Sequence, residues 1–172
     1  MLSKIKQSWK VKDVRRRILY TLMMILIFRI GTTIPVPDVN TSIISSLVSG
    51  NSLLALYNMF TGGAFSNFTL FALGIGPYIT ASIIIQLLTV GFESLKELQK
   101  SGEEGRKKMN MYTKYTALVL AIIQAVGITL GVIKSALTSD SIFSIATVIM
   151  TLVSASMILM WMGDRITEKG LG

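Results

Sequence analysis

The apolar positions of this chain fall into four runs, separated by segments that are polar, charged or rich in glycine. The runs cover residues 18–34, 75–92, 115–133 and 142–163. A helix that crosses a membrane needs about 20 predominantly apolar residues, and each run approaches that length. The pattern therefore predicts an all-α, multi-pass membrane protein with four spans.

The second run belongs to a longer stretch, residues 39–92, that has no charged side chain. Gly62-Gly63 and the segment 74–77 interrupt it, and it also contains the polar residues Asn51, Ser52, Asn58, Ser66 and Asn67. It is too long for one span and too interrupted for two, which favours one span preceded by a short re-entrant segment. Irregular backbone at membrane depth survives only where it is buried in protein or lines a wet cavity. This indicates a channel or a transporter.

Composition supports the membrane assignment. Hydrophobic residues make up 51% of the chain and charged residues 15%, against about 25% charged residues in soluble domains. The 172 residues are enough for one membrane domain or part of one. Cysteine and histidine are absent from the sequence, which excludes disulfides and thiolate metal sites. The net charge of +8 suggests nucleic acid as a partner, but its placement argues against that role.

Basic residues concentrate at two places, residues 1–17 and residues 93–114, whereas residues 35–74 have none. The positive-inside rule then predicts that both ends of this chain are cytoplasmic. Residues 1–17 also carry Leu2, Ile5, Trp9 and Val14, so we expect an amphipathic helix at the cytoplasmic surface. A simple topology determinant is an equally good interpretation, and the two are compatible.

Arg29 is the one ionisable residue well inside a predicted span. Such residues are candidates for a functional site. Arg29 lies near the outer end, however, and an arginine can extend its guanidinium toward the interface. We therefore expect a structural anchor, paired with carbonyls of the loop that follows, and assign Arg29 no transport role.

The residues at the start of the second predicted span favour a sharp turn followed by a helix. Pro77 falls in its first turn, where the missing N–H costs nothing, and Gly74 and Gly76 permit a sharp turn before it. Ile79 and Ile83 are four residues apart and so lie on one face. Ordinary packing, either against lipid or in a core, also explains these isoleucines, and their spacing alone favours that interpretation over a pore.

Several motifs resemble the bacterial SecY family, the pore-forming subunits of the Sec protein-secretion channel. They occur in the family's order along almost the whole chain, at residues 28–31 (FRIG), 34–37 (IPVP), 58–64 (NMFTGGA), 71–88, 102–108 and 160–170. The resemblance implies a partial SecY-type helix bundle, namely four spans plus a re-entrant plug half-helix. Residues 1–17 would be the cytoplasmic helix, and residues 18–172 would form the N-terminal half of the channel domain.

The resemblance also implies roles for individual residues. Residues 57–73 match the plug that closes the channel from outside, and Ile79 and Ile83 match two isoleucines of the ring that seals the pore. The second and third spans would border the lateral gate, with Gln86 and Gln124 as gate residues, although a simple helix–helix hydrogen bond is as good an explanation for each. The implied plug and hinge residues are Tyr57, Gly62, Gly63, Phe65, Phe68, Leu73, Gly74, Gly76 and Pro77.

Partners follow from the same resemblance. They are the SecE and SecG subunits, the SecA motor, the ribosome, signal sequences, unfolded secretory polypeptides and membrane lipids. DNA is not expected as a partner. Arg106, Lys107 and Lys108 would add electrostatic attraction for cytoplasmic partners. The implied location is the bacterial plasma membrane. The third span also holds Gly127 and Gly131, a G-x-x-x-G pair that we interpret as a helix-packing motif.

An enzyme is not expected. Without histidine or cysteine an active site would need carboxylates, serine or lysine, and all nine acidic residues lie outside the predicted spans. We therefore expect no catalytic residue, cofactor or metal. A solute transporter with a broken helix is the runner-up, but it should carry an intramembrane carboxylate or a paired charge. A passive membrane anchor comes last, since it would not need the long uncharged insertion.

Overall fold

The computed structural model describes residues 11–137 and 141–171. Within these ranges the chain forms seven α-helices and one 3-10 turn at Lys134–Ala136, and no named strand. The predicted all-α architecture is confirmed. The helices are α1 (Lys12–Gly31), α2 (Thr41–Gly50), α3 (Ser52–Phe60), α4 (Gly76–Gly91), α5 (Glu93–Lys100), α6 (Glu103–Gly131) and α7 (Ile142–Lys169).

Helix α6 lies at the centre, in contact with α4 and α5 on one side and with α7 on the other, while α1 packs against α7. Both α6 and α4 bury small or short side chains at a spacing of four residues, which places them in one row along each helix. Small side chains let helix backbones approach closely. The buried rows are Thr113, Ala117, Ala121, Ala125 and Thr129 on α6, and Pro77, Ala81, Ile85 and Thr89 on α4.

The helix ends differ from the predicted spans. Helix α1 begins at Lys12, so residues 12–17 continue directly into the first span instead of forming a separate surface helix. Residues 1–10 of that predicted surface helix lie outside the described residues. Helices α6 and α7 extend to Glu103 and Lys169, well past the apolar runs. Hydropathy marks the apolar part of a helix only, and Lys, Arg and Glu are themselves good helix formers.

Of the described helices, α6 and α7 are long enough and apolar enough to cross a membrane, and up to four spans result if each bent helix pair counts as one. The pairs are α2 with α3, bent by 114°, and α4 with α5, bent by 106°. Helix α1 is not among these candidates. Its apolar stretch is short, because Arg15, Arg16 and Arg17 precede it and Arg29 lies near its end.

Asn51 explains the sharp bend between α2 and α3. It ends α2 with extended backbone angles, and its side-chain oxygen accepts a hydrogen bond of 3.0 Å from the N–H of Leu53 at the start of α3. Asn40 caps α2 in the same way, through the N–H of Ser42. Asparagine is favoured at this position because its oxygen satisfies an otherwise unpaired N–H. The first part of the uncharged stretch, residues 39–92, is thus divided into two helices by the capping residue between them.

Within the described residues, the G-x-x-x-G pair makes no close helix contact. A Cβ atom added at Gly127 or Gly131 would meet nothing within 4 Å. The close packing on α6 comes instead from its alanine row, since Ala117, Ala121 and Ala125 are fully buried. The two glycines lie on other sides of the helix.

Candidate functional site

Helix α4 carries the two predicted ring isoleucines on the side away from its buried row. Ile79 and Ile83 are each 52% exposed, and Leu87, one turn further on, is 67% exposed. The opposite face, with Ala81 and Ile85, is buried. These isoleucines are therefore not core residues of the described structure, whereas a lipid-facing position and a pore both fit their exposure, and the ring role stays a prediction.

The predicted plug segment is not one half-helix. Its helical part, α3, begins earlier at Ser52 and ends at Phe60, and residues 61–75 form consecutive turns. Gly62 and Gly63 have φ angles of 64° and 86°, and Phe68 has a φ of 41°. A right-handed helix cannot continue through left-handed positions, so the chain turns there. The turns lead directly into the N-terminus of α4.

Side chains fix the two ends of this segment to each other. The Tyr57 hydroxyl donates a hydrogen bond of 2.9 Å to the Leu73 carbonyl, and the Tyr57 ring meets the Phe65 ring edge to face at 5.1 Å. The Asn58 side-chain oxygen accepts a 2.8 Å hydrogen bond from the N–H of Ser66. Phe65, Phe68 and Leu73 are at most 1% exposed and belong to the main apolar core.

The predicted hinge residues fall in two different environments. A Cβ atom at Gly62 or Gly63 would meet nothing within 4 Å, so these glycines are surrounded by open space. Gly74 is held, because its carbonyl accepts a 3.2 Å hydrogen bond from the hydroxyl of Ser156 on α7. Gly76 begins α4 next to the side chain of Gln124, and Pro77 is buried in the first turn.

No pattern in the sequence indicates the close contact between α1 and this segment. Gly31, the last residue of α1, faces the ring of Phe71 so closely that an added Cβ would overlap it. Phe28, one turn earlier, stacks on the same ring at 5.4 Å between centroids. Within the FRIG motif, Phe28 is thus the aromatic partner of Phe71, and Gly31 leaves the space that the Phe71 ring occupies. Only the folded structure brings these residues together.

Arg29 does not make the predicted bonds to loop carbonyls. Within the described residues its guanidinium forms no hydrogen bond and no ion pair. The side chain is exposed and borders a cavity that also touches Gly62 and Gly63.

The two predicted gate glutamines lie apart. Gln124 on α6 is half-buried, with its side-chain oxygen 4.0 Å from the position of a Cβ at Gly76. Gln86 lies in the last half of α4, where its amide donates a 3.2 Å hydrogen bond to the Ser82 hydroxyl of the same helix. At a rise of about 1.5 Å per residue, the length of α4 between Gly76 and Gln86 keeps the glutamines from meeting. Their gate role stays a prediction.

The predicted docking cations divide into two kinds. Lys107 and Lys108 pair with Glu103 and Glu104 one turn earlier, each at 3.1 Å and highly exposed. Exposed pairs of this kind contribute little stability. Arg106 instead borders a cavity of about 640 Å³ between α4, α5 and α6. Within the described residues, Arg106 is the cation of the three that forms no ion pair.

An ion pair between α6 and α7 was missed by the sequence analysis. The Lys114 ammonium lies 2.6 Å from a carboxylate oxygen of Asp164, whose side chain is only 20% exposed. The two residues are far apart in sequence, and no spacing rule links them. The pair fixes the relative height of the two longest helices.

Comparison with known proteins shows which family the chain resembles. The family model described as SecY matches residues 69–172. Proteins named protein translocase subunit SecY from Escherichia coli strain K12 and from Buchnera aphidicola are each 41% identical, over 93% and 94% of this chain. The subunit of Streptomyces scabiei is 41% identical over the whole chain. The chain spans 38–43% of the length of these relatives.

A solved structure agrees with the fold. Sec61 in the canine ribosome–channel complex from the endoplasmic reticulum superposes with a TM-score of 0.68, at 21% identity, over 94% of this chain and 35% of that chain. A structure titled as that of a protein-conducting channel gives the same values. The helix bundle is thus part of a SecY-type fold. With its family match and relatives above 40% identity over nearly all of its length, the chain belongs to the bacterial SecY family.

Proposed function

We propose that this chain forms part of the wall of a channel that conducts unfolded polypeptides across the bacterial plasma membrane. The observation that carries the proposal is the two-sided character of α4. One face of α4 carries its row of buried residues and packs against the bundle, and the other face exposes Ile79, Ile83 and Leu87. An exposed apolar row beside a re-entrant segment, in a chain of this family, suits a pore lining.

The chemistry of the exposed row on α4 suits a pore that conducts polypeptides. Branched apolar side chains form a constriction that excludes water and ions by dewetting, and they make no specific hydrogen bonds to a passing chain. Residues 57–73 would close the pore from outside, and Gly62 and Gly63, with open space around them, would let α3 swing away. Release of apolar segments sideways into the lipid would occur beside α4 and α6, near Gln86 and Gln124.

The partners belong to the same proposal. SecE and SecG would cover faces that this chain leaves exposed, and SecA or the ribosome would dock on the cytoplasmic side near Arg106, Lys107 and Lys108. The likeness to a channel titled as part of a ribosome complex supports the ribosome. Both ends of the chain would be cytoplasmic, with the plug on the other side.

A solute transporter is the less favoured alternative. Such a protein would be expected to hold a carboxylate along its path. In the described part of the chain, Glu93 and Asp164 each directly follow an apolar run and no acidic residue lies within one, while the charge of Asp164 is paired with Lys114.

The test measures resting ion conductance of the full-length protein, reconstituted with its partners in planar bilayers. Replacing Ile79 and Ile83 together by serine removes apolar surface from the constriction, so we expect higher current through the resting channel. The matched control replaces Ile30 and Ile158 by serine, because these isoleucines are exposed to nearly the same extent, 54% and 51%, on α1 and α7. Equal currents from both double variants would remove Ile79 and Ile83 from the pore.

A further inference from the structure

A polar cavity of about 460 Å³ lies at the end of α1, between that helix, the start of α2 and the turns after α3. Among the described residues, its lining includes Arg29, Thr32, Thr41, Asn67 and Thr69, and no carboxylate. The predicted plug and pore functions do not use this cavity.

Arg29 is the one charged residue among the described residues that line the cavity. The hydroxyls of Thr32 and Thr69 already donate hydrogen bonds to the carbonyls of Arg29 and Ala64, so their hydrogens are not free for a ligand. The donors left are the guanidinium, the Thr41 hydroxyl and one N–H of the Asn67 amide, whose other N–H donates a 3.4 Å hydrogen bond to the Gly63 carbonyl. Donors without a neighbouring carboxylate suit an anion, and a guanidinium binds phosphate oxygens in a bidentate manner.

An apolar track leads along α1 to this cation. Leu22, Ile25 and Leu26 precede Arg29 by seven, four and three residues, so all four share one side of the helix. The three apolar side chains are 53%, 53% and 60% exposed. A cation at the end of an exposed apolar track matches a ligand that joins an anion to hydrocarbon chains.

The track ends at the side of the bundle remote from the basic residues that begin α1. Arg17, near that beginning, contacts the carbonyl of Gly170 after α7, so Arg29 lies at the opposite end of the α1–α7 pair. A charged side chain inside a membrane segment is normally paired. At the end of a span, the phosphate of a lipid headgroup is the anion within reach.

We propose that this cavity binds the phosphate of a membrane phospholipid, with Arg29 as its cationic partner and the acyl chains along Leu22, Ile25 and Leu26. The lipid would bind in the leaflet away from the cytoplasm. There it would also contact Gly62 and Gly63, the flexible point between α3 and the buried turns. The proposal requires that the protein is embedded in a membrane and does not depend on the channel function.

Native mass spectrometry of the full-length protein, released from nanodiscs of phosphatidylglycerol, counts the phospholipids that stay bound. Arg29→Gln should lower the occupancy of one retained lipid roughly tenfold, the ratio expected when a charge-assisted hydrogen-bonded pair is lost. The occupancy in Arg29→Lys should lie between that of the unaltered protein and that of Arg29→Gln, since lysine keeps the charge without the bidentate geometry. Lys134→Gln is the matched control, because Lys134 is another cation on the same side of the bundle, in the 3-10 turn, and should leave the count unchanged.

A second measurement uses the unaltered protein, so it does not depend on how the variants fold. A phospholipid with a photoreactive group on its acyl chain should crosslink to the peptide that contains residues 22–30. Adding inorganic phosphate separates the two sources of the anion: the lipid count should not fall if the acyl chains contribute to binding. Displacement by inorganic phosphate alone, an unchanged count in Arg29→Gln, or crosslinking of Arg29 to a carboxylate elsewhere in the complex would each overturn the proposal.

Discussion

Phe71 shows how single residues decide the packing between α1 and the plug segment. Its ring is 6% exposed, stacks on Phe28 and occupies the space that a side chain at Gly31 would fill. Stacked aromatic pairs contribute about 0.5–1.5 kcal/mol beyond the area that they bury. The contact holds the turns after α3 against the end of α1, so that the glycine matters for the space it leaves and not for its backbone angles.

Gly31→Ala should destabilise the full-length protein by about 1–3 kcal/mol, because the new methyl group forces the Phe71 ring out of a packed core. The measurement is the midpoint of thermal unfolding in detergent, followed by size-exclusion chromatography. Gly127→Ala is the control: its Cβ meets nothing within 4 Å, and alanine in a helix interior should be neutral or stabilising. A Gly31→Ala midpoint at or above that of Gly127→Ala would contradict the contact.

At the scale of elements, residues 57–74 behave as a closed loop whose two ends are tied to each other, with the second end also tied to the bundle. Tyr57 ties the end of α3 to Leu73, and Ser156 ties Gly74 to α7. The phenyl rings inside the loop bury its centre. Helix α3 itself has no buried residue. Any movement of the plug would therefore begin with α3 and need the Tyr57 hydrogen bond to break.

Replacing Tyr57 by phenylalanine and Ser156 by alanine together should loosen this loop, since each change removes a hydrogen bond worth about 1 kcal/mol. Hydrogen exchange of the peptides covering residues 64–74 should accelerate in the double variant. Thr147→Ala serves as the control, because its hydroxyl bonds only to the carbonyl of Phe143 one turn earlier on an exposed face. Unchanged exchange in residues 64–74 would show that apolar burial alone holds the loop.

At the scale of the whole molecule, the helices form a row from α1 through α7 and α6 to α4, with apolar side chains exposed along it. Lipid can cover some of these, but the polar groups near α4, such as Gln86, would be costly against hydrocarbon. The row formed by the described helices encloses no pore.

The topology can be checked in a chain that has no native cysteine within these residues. Single cysteines at Ser45 and Ser101 fall on exposed positions of α2 and of the connection between α5 and α6. A membrane-impermeant thiol reagent added to intact cells should label Ser45→Cys, whereas Ser101→Cys should react only after the membrane is opened. Labelling of Ser101→Cys in intact cells would reverse the orientation.

These residues alone should not form a working channel, because α4 would expose its proposed pore face to lipid and the proposed ring would lack its other members. Expressed with a tag, the fragment should aggregate or be degraded. Together with the remaining part of the protein and SecE it should be recovered as a complex. A monodisperse fragment that restored secretion in a depleted strain would disprove this prediction.

The sequence by itself determined the helical class, the positions of the apolar runs, the break at Gly62-Gly63 and the start of α4 at Pro77. These are local properties, set by hydropathy, backbone freedom and capping within a few residues. It also carried enough motif similarity to indicate the family. The helix ends at Lys12, Glu103 and Lys169 were missed, because polar residues can continue a helix that the membrane no longer requires.

Only the tertiary structure decided which residues far apart in sequence meet. It paired Lys114 with Asp164, placed Phe71 against Gly31, tied Tyr57 to Leu73 and left Arg29 facing an open polar cavity. Sequence spacing reports neighbours on one helix, whereas these contacts depend on how the helices pack and on their relative heights. The same packing turned the plug segment, expected as one helix, into buried turns, because Phe65, Phe68 and Leu73 reach the core only if the backbone reverses.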